Sequence, residues 1–221
     1  MEIILIGLVI LAFFASQIIL LDTMPAQAMV LANIAPNVLM LGLAWSWVVK
    51  GPSLIALHNS KGSPASKLLK PACMTFAMFI ALKVLFADGE SYVKRDVMSV
   101  AIFTLLAPCA EELFFRGYVL NYLWRGVGVV PAIFISSALF TVLHSPGSGM
   151  LLLFSFSGLL ACVTVVTKSL NWAVIFHIMW NSYIELPRIE SLQARAILTA
   201  VVLIVIVRLC VKNAKTMRGV L

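Results

Sequence analysis

The sequence predicts an all-α, polytopic membrane bundle of about eight transmembrane helices, and three observations carry that reading. The 221 residues are 62% hydrophobic and only 11% charged, against about 25% charged in soluble domains. The bilayer must therefore act as solvent for most of the chain. The apolar residues gather into eight segments, most of them long enough to cross a hydrocarbon core of roughly 30 Å. The basic residues crowd alternate connections, as topology determinants do.

The first segment, 3–21, is followed by Ala26-Gln27-Ala28, which resembles a signal-peptidase site. The stretch before it, Met1-Glu2, has no positive charge, and the apolar run exceeds a normal signal core, so it is read as a retained span. Segment 29–49 follows. The 50–70 connection (Gly51-Pro52, Gly62-Ser63-Pro64) is linker-like and holds His58, read as solvated. Segment 71–87 opens on Pro71, where a missing N–H costs nothing, and Lys83 within it is read as snorkelling. The fourth, 97–124, would be about 42 Å long as a helix and overshoots the bilayer. A tight turn at Gly126-Val127-Gly128 leads into the short fifth, 131–144, which starts with Pro131. Segments 150–167, 171–187 and 194–211 complete the set. No internal repeat is visible, and residues 1–221 read as one membrane domain.

Charge sets the orientation. With eight spans, Lys50, Lys61, Lys67, Lys70, Arg125, Lys168, Lys212, Lys215 and Arg218 share one side. Lys94, Arg95, Arg188 and Arg195 fall on the other, offset by Asp88, Glu90, Asp96, Glu185 and Glu190. Both termini are expected in the cytoplasm and the protein in the cytoplasmic membrane. The net charge of +7 does not indicate nucleic acid, since no basic stripe interleaves with aromatics. Cys73, Cys109, Cys162 and Cys210 lie in apolar runs without a CxxC pair and read as small packing residues.

Ionisable groups within apolar segments are the informative positions, since each charge near the bilayer centre costs about 2.5–3.5 kcal/mol. Glu111, Glu112 and Arg116 lie in the fourth segment, His144 ends the fifth, and His177 and Asn181 share a face of the seventh. On an α-helical wheel Arg116 is about 40° from Glu112 and about 140° from Glu111. Glu112 can therefore pair with Arg116, while Glu111 needs a partner elsewhere. Counted outward from the Gly126–Gly128 turn, Glu111 and His144 are equally distant, which puts them at one depth in two antiparallel helices. Ser155, Ser157 and Thr164 are expected to need only backbone partners.

Glu-Glu-x-x-x-Arg (Glu111, Glu112, Arg116), Phe-x-x-x-His (Phe140, His144) and His-x-x-x-Asn (His177, Asn181), in that order on successive segments, resemble the CPBP family of CAAX proteases and bacteriocin-processing enzymes, also called Abi. Phe115-Arg116-Gly117 is similar to its members as well. The resemblance implies an intramembrane endopeptidase with its catalytic core in 97–187, acting on a membrane-associated protein or peptide. It makes Glu111 the activator of water and His144 its assistant. His177 and Asn181 become oxyanion donors, with Glu112, Arg116 and Phe140 in support.

Other protease chemistries fit less well. There is no HExxH helix, and Asp22, Asp88 and Asp96 all sit near segment ends. Ser155 and Ser157 lack a glycine-rich turn. Glu111, His144 and His177 have the donor types of a zinc site with one open position, yet the same groups could activate water unaided, and spacing leaves both open. Two non-hydrolytic readings stand beside the protease: an immunity or assembly partner that keeps the polar cluster, and a proton-coupled transporter.

Overall fold

The computed structural model describes residues 34, 37–42, 95–144 and 150–215, the last seven by backbone alone. The described residues form helices and one isolated bridge, with no strand. The expected segments 3–21 and 71–87, most of 29–49, and the 50–70 linker lie outside them.

The last five expected segments correspond to five helices: α1 (Val97–Val127), α2 (Val129–His144), α3 (Met150–Thr167), α4 (Leu170–Glu185) and α5 (Leu192–Lys215). Of these, α1 and α3 are long and apolar enough to cross a membrane. At 31 residues, α1 is about 46 Å long and exceeds a bilayer core.

Local chemistry sets the boundaries. Asp96 caps α1, its Oδ1 accepting the Ser99 N–H at 2.8 Å. The hydroxyl and N–H of Ser99 hold the Asp96 carboxyl below its ordinary 3.8. Gly128, at φ +86° and ψ 170°, makes the turn between α1 and α2, in a region that is essentially glycine's alone and costs other residues about 1–3 kcal/mol. Lys168, at φ +51°, reverses the chain between α3 and α4. The seventh segment was expected to run to 187, but α4 stops at Glu185 and a 3₁₀ turn, Leu186–Arg188, follows. Pro187 is the reason, because proline has no N–H with which to continue the α-helical hydrogen bonds. Ser191 accepts the Ala194 N–H at 3.2 Å, so α5 starts two residues before the expected 194.

Helix α1 is not uniform. Ile102–Leu106 and Leu113–Val119 are π turns, and the six α-helical residues Ala107–Glu112 lie between them. The sequence reading anticipated neither. Pro108 accounts for the first: its ring would collide with a carbonyl one α-turn back, and it has no N–H to donate. The wider turn relieves that collision, and the Ala107 N–H reaches Ile102 O instead.

The chain divides into two compact units, residues 1–54 with 110–162 and residues 55–109 with 163–221. In the first, Phe114, Phe115, Tyr118, Val119, Phe140 and Leu143 form a buried core with Met40 of the helical stretch 37–42. Ser136 of α2 donates to Phe115 O across the α1–α2 hairpin. In the second, Val100, Trp172, Ile175, Met179, Leu198 and Val202 are buried together. Glu185 there pairs with Arg95 at 3.3 Å and with Arg188 at 3.6 Å, three residues that the charge pattern assigns to one side.

Candidate active site

Glu111 and Glu112 end the α-helical stretch between the two π turns of α1. π turns within α-helices occur often at functional sites, and here the adjacent carboxylates meet different partners. Arg116 Nη1 donates to Glu112 Oε1 at 3.0 Å, with both side chains wholly buried. A wider turn rotates less per residue, which brings the i,i+4 pair closer to one face than an α wheel allows.

The other terminal nitrogen of the guanidinium is also engaged. Its Nη2 donates to Ser157 O at 3.0 Å and to Ser157 Oγ at 2.9 Å. Its carbon lies 4.9 Å from the centre of the Phe140 ring, a cation–π contact. The expectation that Ser157 needs only a backbone partner is therefore corrected. A buried cation with several donors to satisfy draws in any nearby acceptor, and spacing along the chain gives no sign of a partner forty-one residues away. Ser155 is exposed and donates to Leu151 O, so it does follow the backbone expectation. The carbonyls of Arg116 and Gly117, in the second π turn, accept from Asn121 Nδ2 at 3.3 and 2.8 Å.

Glu111 faces the other helix of the hairpin, its Oε2 3.2 Å from His144 Nε2, at the common depth that counting implied. The second imidazole nitrogen, Nδ1, is 2.8 Å from Phe140 O. A carbonyl can only accept, so Nδ1 carries a proton, and the Nε2–Oε2 contact then holds one proton that either partner can own. The His144 and Phe140 rings stack at 4.1 Å between centroids, 20° from parallel. Glu111 is buried, while the His144 side chain keeps 23% exposure.

His177 and Asn181 belong to the second unit, both on α4 and one turn apart. His177 is buried. Asn181 Nδ2 donates to Phe103 O at 2.8 Å, and Pro108 explains why that carbonyl accepts. In the π register begun by the Ala107 N–H bonding to Ile102 O, the next donor to Phe103 O would be residue 108, which as proline has none. Asn181 supplies the missing donor and keeps a second amide hydrogen. The sequence reading passed over Pro108, although a proline inside a long apolar helix is a visible signal.

The zinc reading was tested on the donors. Among the described residues no three of His, Cys, Asp and Glu come together to hold a metal ion. Glu111 and His144 form a pair of donors, not a set of three. Of the cysteines, Cys162 is a free thiol, and the side chains of Cys73 and Cys210 lie outside the described residues.

Residues 94–183 match the family model described as type II CAAX prenyl endopeptidase Rce1-like. No curated protein and no solved structure matches the chain. The matched segment contains the paired glutamates, Arg116, both histidine motifs and Asn181, in agreement with the CPBP resemblance carried by those motifs. Over this segment the chain is similar to the Rce1-like family of type II CAAX prenyl endopeptidases.

Proposed function

We propose that this protein is an intramembrane endopeptidase of the CAAX-protease type, in which Glu111 and His144 activate water against a peptide bond of a membrane-associated protein or peptide. The observation that carries the proposal is the 3.2 Å contact between Glu111 Oε2 and His144 Nε2, with Nδ1 tied to Phe140 O. A carboxylate that shares one proton with an oriented imidazole is suited to general acid–base work.

In this reading Glu111 removes a proton from water as its oxygen attacks the scissile carbonyl carbon. The C=O π electrons move onto oxygen, giving a tetrahedral oxyanion, which hydrogen-bond donors stabilise. Collapse breaks the C–N bond, and the proton taken by Glu111 passes to the departing amine, with His144 aiding the transfer. The roles of His177 and Asn181 as oxyanion donors rest on the family motif; the second amide hydrogen of Asn181 keeps that role chemically open. Arg116 neutralises Glu112, leaving Glu111 as the carboxylate that serves the chemistry. The charge pattern supports a location in the cytoplasmic membrane with both termini in the cytoplasm.

The test uses the purified full chain in proteoliposomes, with a prenylated peptide ending in a CAAX sequence as probe. Terminal proteomics of membranes with and without the active protein accompanies it. Glu111→Gln preserves shape but cannot take a proton, so cleavage should fall on the order of 10²–10⁴-fold while the protein stays folded. Glu111→Ala should behave alike. Near-native cleavage by either variant rules out this mechanism, whereas no cleavage by the wild type favours the binding-partner reading.

A further inference from the structure

We infer that Phe140 is a positioning residue for His144, and that the buried Arg116 acts on the chemistry by fixing the Phe140 ring. The inference rests on the Glu111–His144 reading above and assigns a task to side chains which that reading leaves as support.

The terminal torsion of a histidine is broad and sets no ring plane by itself. For Nε2 to face Glu111, the plane and the choice of protonated nitrogen must both be imposed. Phe140 contributes to each. Its carbonyl accepts from Nδ1 at 2.8 Å, which fixes the protonated nitrogen. Its ring lies nearly parallel to the imidazole with centroids 4.1 Å apart, which resists tilting.

The Phe140 ring is itself held. Phe115 meets it edge-on at 5.1 Å. The Arg116 guanidinium sits 4.9 Å from its centre, and that group is fixed by Glu112 and by two bonds to Ser157. The run Ser157–Arg116–Phe140–His144 thus passes from α3 through α1 to α2 and ends on the imidazole. A salt bridge alone would need neither the Phe140 contact nor the stacking beyond it. Buried ion pairs bring little net stability, and retention of this costly pair is accounted for by the order it imposes on His144.

The experiment compares wild type, Phe140→Leu and Phe140→Tyr in two readouts. One is kcat and KM on the prenylated CAAX peptide in proteoliposomes. The other is the imidazole ¹⁵N–¹H spectrum of histidine-labelled protein, which reports His144 whether or not the peptide is cleaved, so a failure of the protease reading is distinguishable from a failure of this one. Misplacement of a reacting group by about 1 Å costs on the order of 100-fold. Phe140→Leu is therefore expected to lose about ten- to hundred-fold in kcat with little change in KM. Its His144 signals should broaden or move. Phe140→Tyr, which keeps a ring, should retain most of the activity and the wild-type His144 signals. Unmoved His144 signals in Phe140→Leu, or Tyr failing as badly as Leu, overturns the inference. If the Leu variant does not fold, Phe140→Met, which keeps apolar volume without a ring, is read in the same two assays: displaced His144 signals support the positioning, and unmoved signals overturn it.

Discussion

Adjacent identical residues rarely have identical surroundings, and Glu111 and Glu112 differ because a helix turns between them. Glu112 is held by Arg116 within α1, whereas Glu111 meets His144 across the hairpin. The pairing of Glu112 with Arg116 was legible in their four-residue spacing. The bonds from Arg116 to Ser157 and its contact with Phe140 were not, because they join residues far apart in the chain. Arg116→Ala leaves Glu112 as a buried charge without this cation, a class of change that costs about 3–5 kcal/mol. The expected outcome is a sharply reduced folded yield and a lowered thermal midpoint in detergent. A normal melt would refute the supporting role.

At the scale of the element, a single proline reshapes α1. The loss of the Pro108 N–H and the wider turn before it leave Phe103 O for the Asn181 side chain. Asn181→Ala should then strand a carbonyl and cost about 1–3 kcal/mol. Pro108→Ala restores a backbone N–H, so introducing it into the Asn181→Ala protein should recover part of that loss. A double-mutant cycle on thermal or denaturant unfolding measures the coupling, and strictly additive effects would sink the account. The extents of the five helices followed from apolar runs, prolines and caps. The π turns did not, because α periodicity was assumed throughout and the accommodation of Pro108 depends on neighbours in space.

For the molecule as a whole, the exposed surface is as telling as the core. Phe134, Leu151, Leu152 and Leu159 in the first unit, and Ile197, Val201 and Ile204 in the second, are large apolar side chains with much of their surface uncovered. That is a liability in water and the ordinary condition in lipid. Leu159 lies at mid-helix in α3 with 59% of its surface exposed. Leu159→Lys should oppose insertion by about 2.5–3.5 kcal/mol, read as a loss of membrane-integrated protein, whereas Leu159→Ala should be nearly silent. Equal integration of the two variants would count against a lipid-facing α3.

The sequence by itself determined the all-helical class, the bilayer as solvent, the limits of the described helices to within a few residues, and the polar side chains proposed to bear the chemistry. Each follows from local information: hydropathy over a span, a cap, a proline, a motif at helical spacing. Only the tertiary structure decided which groups meet. It brought Ser157 to Arg116, stacked Phe140 on His144, and turned Asn181 toward Phe103. The physical reason is that a buried polar atom takes whichever partner packing presents, and packing joins residues that the order of the chain keeps apart.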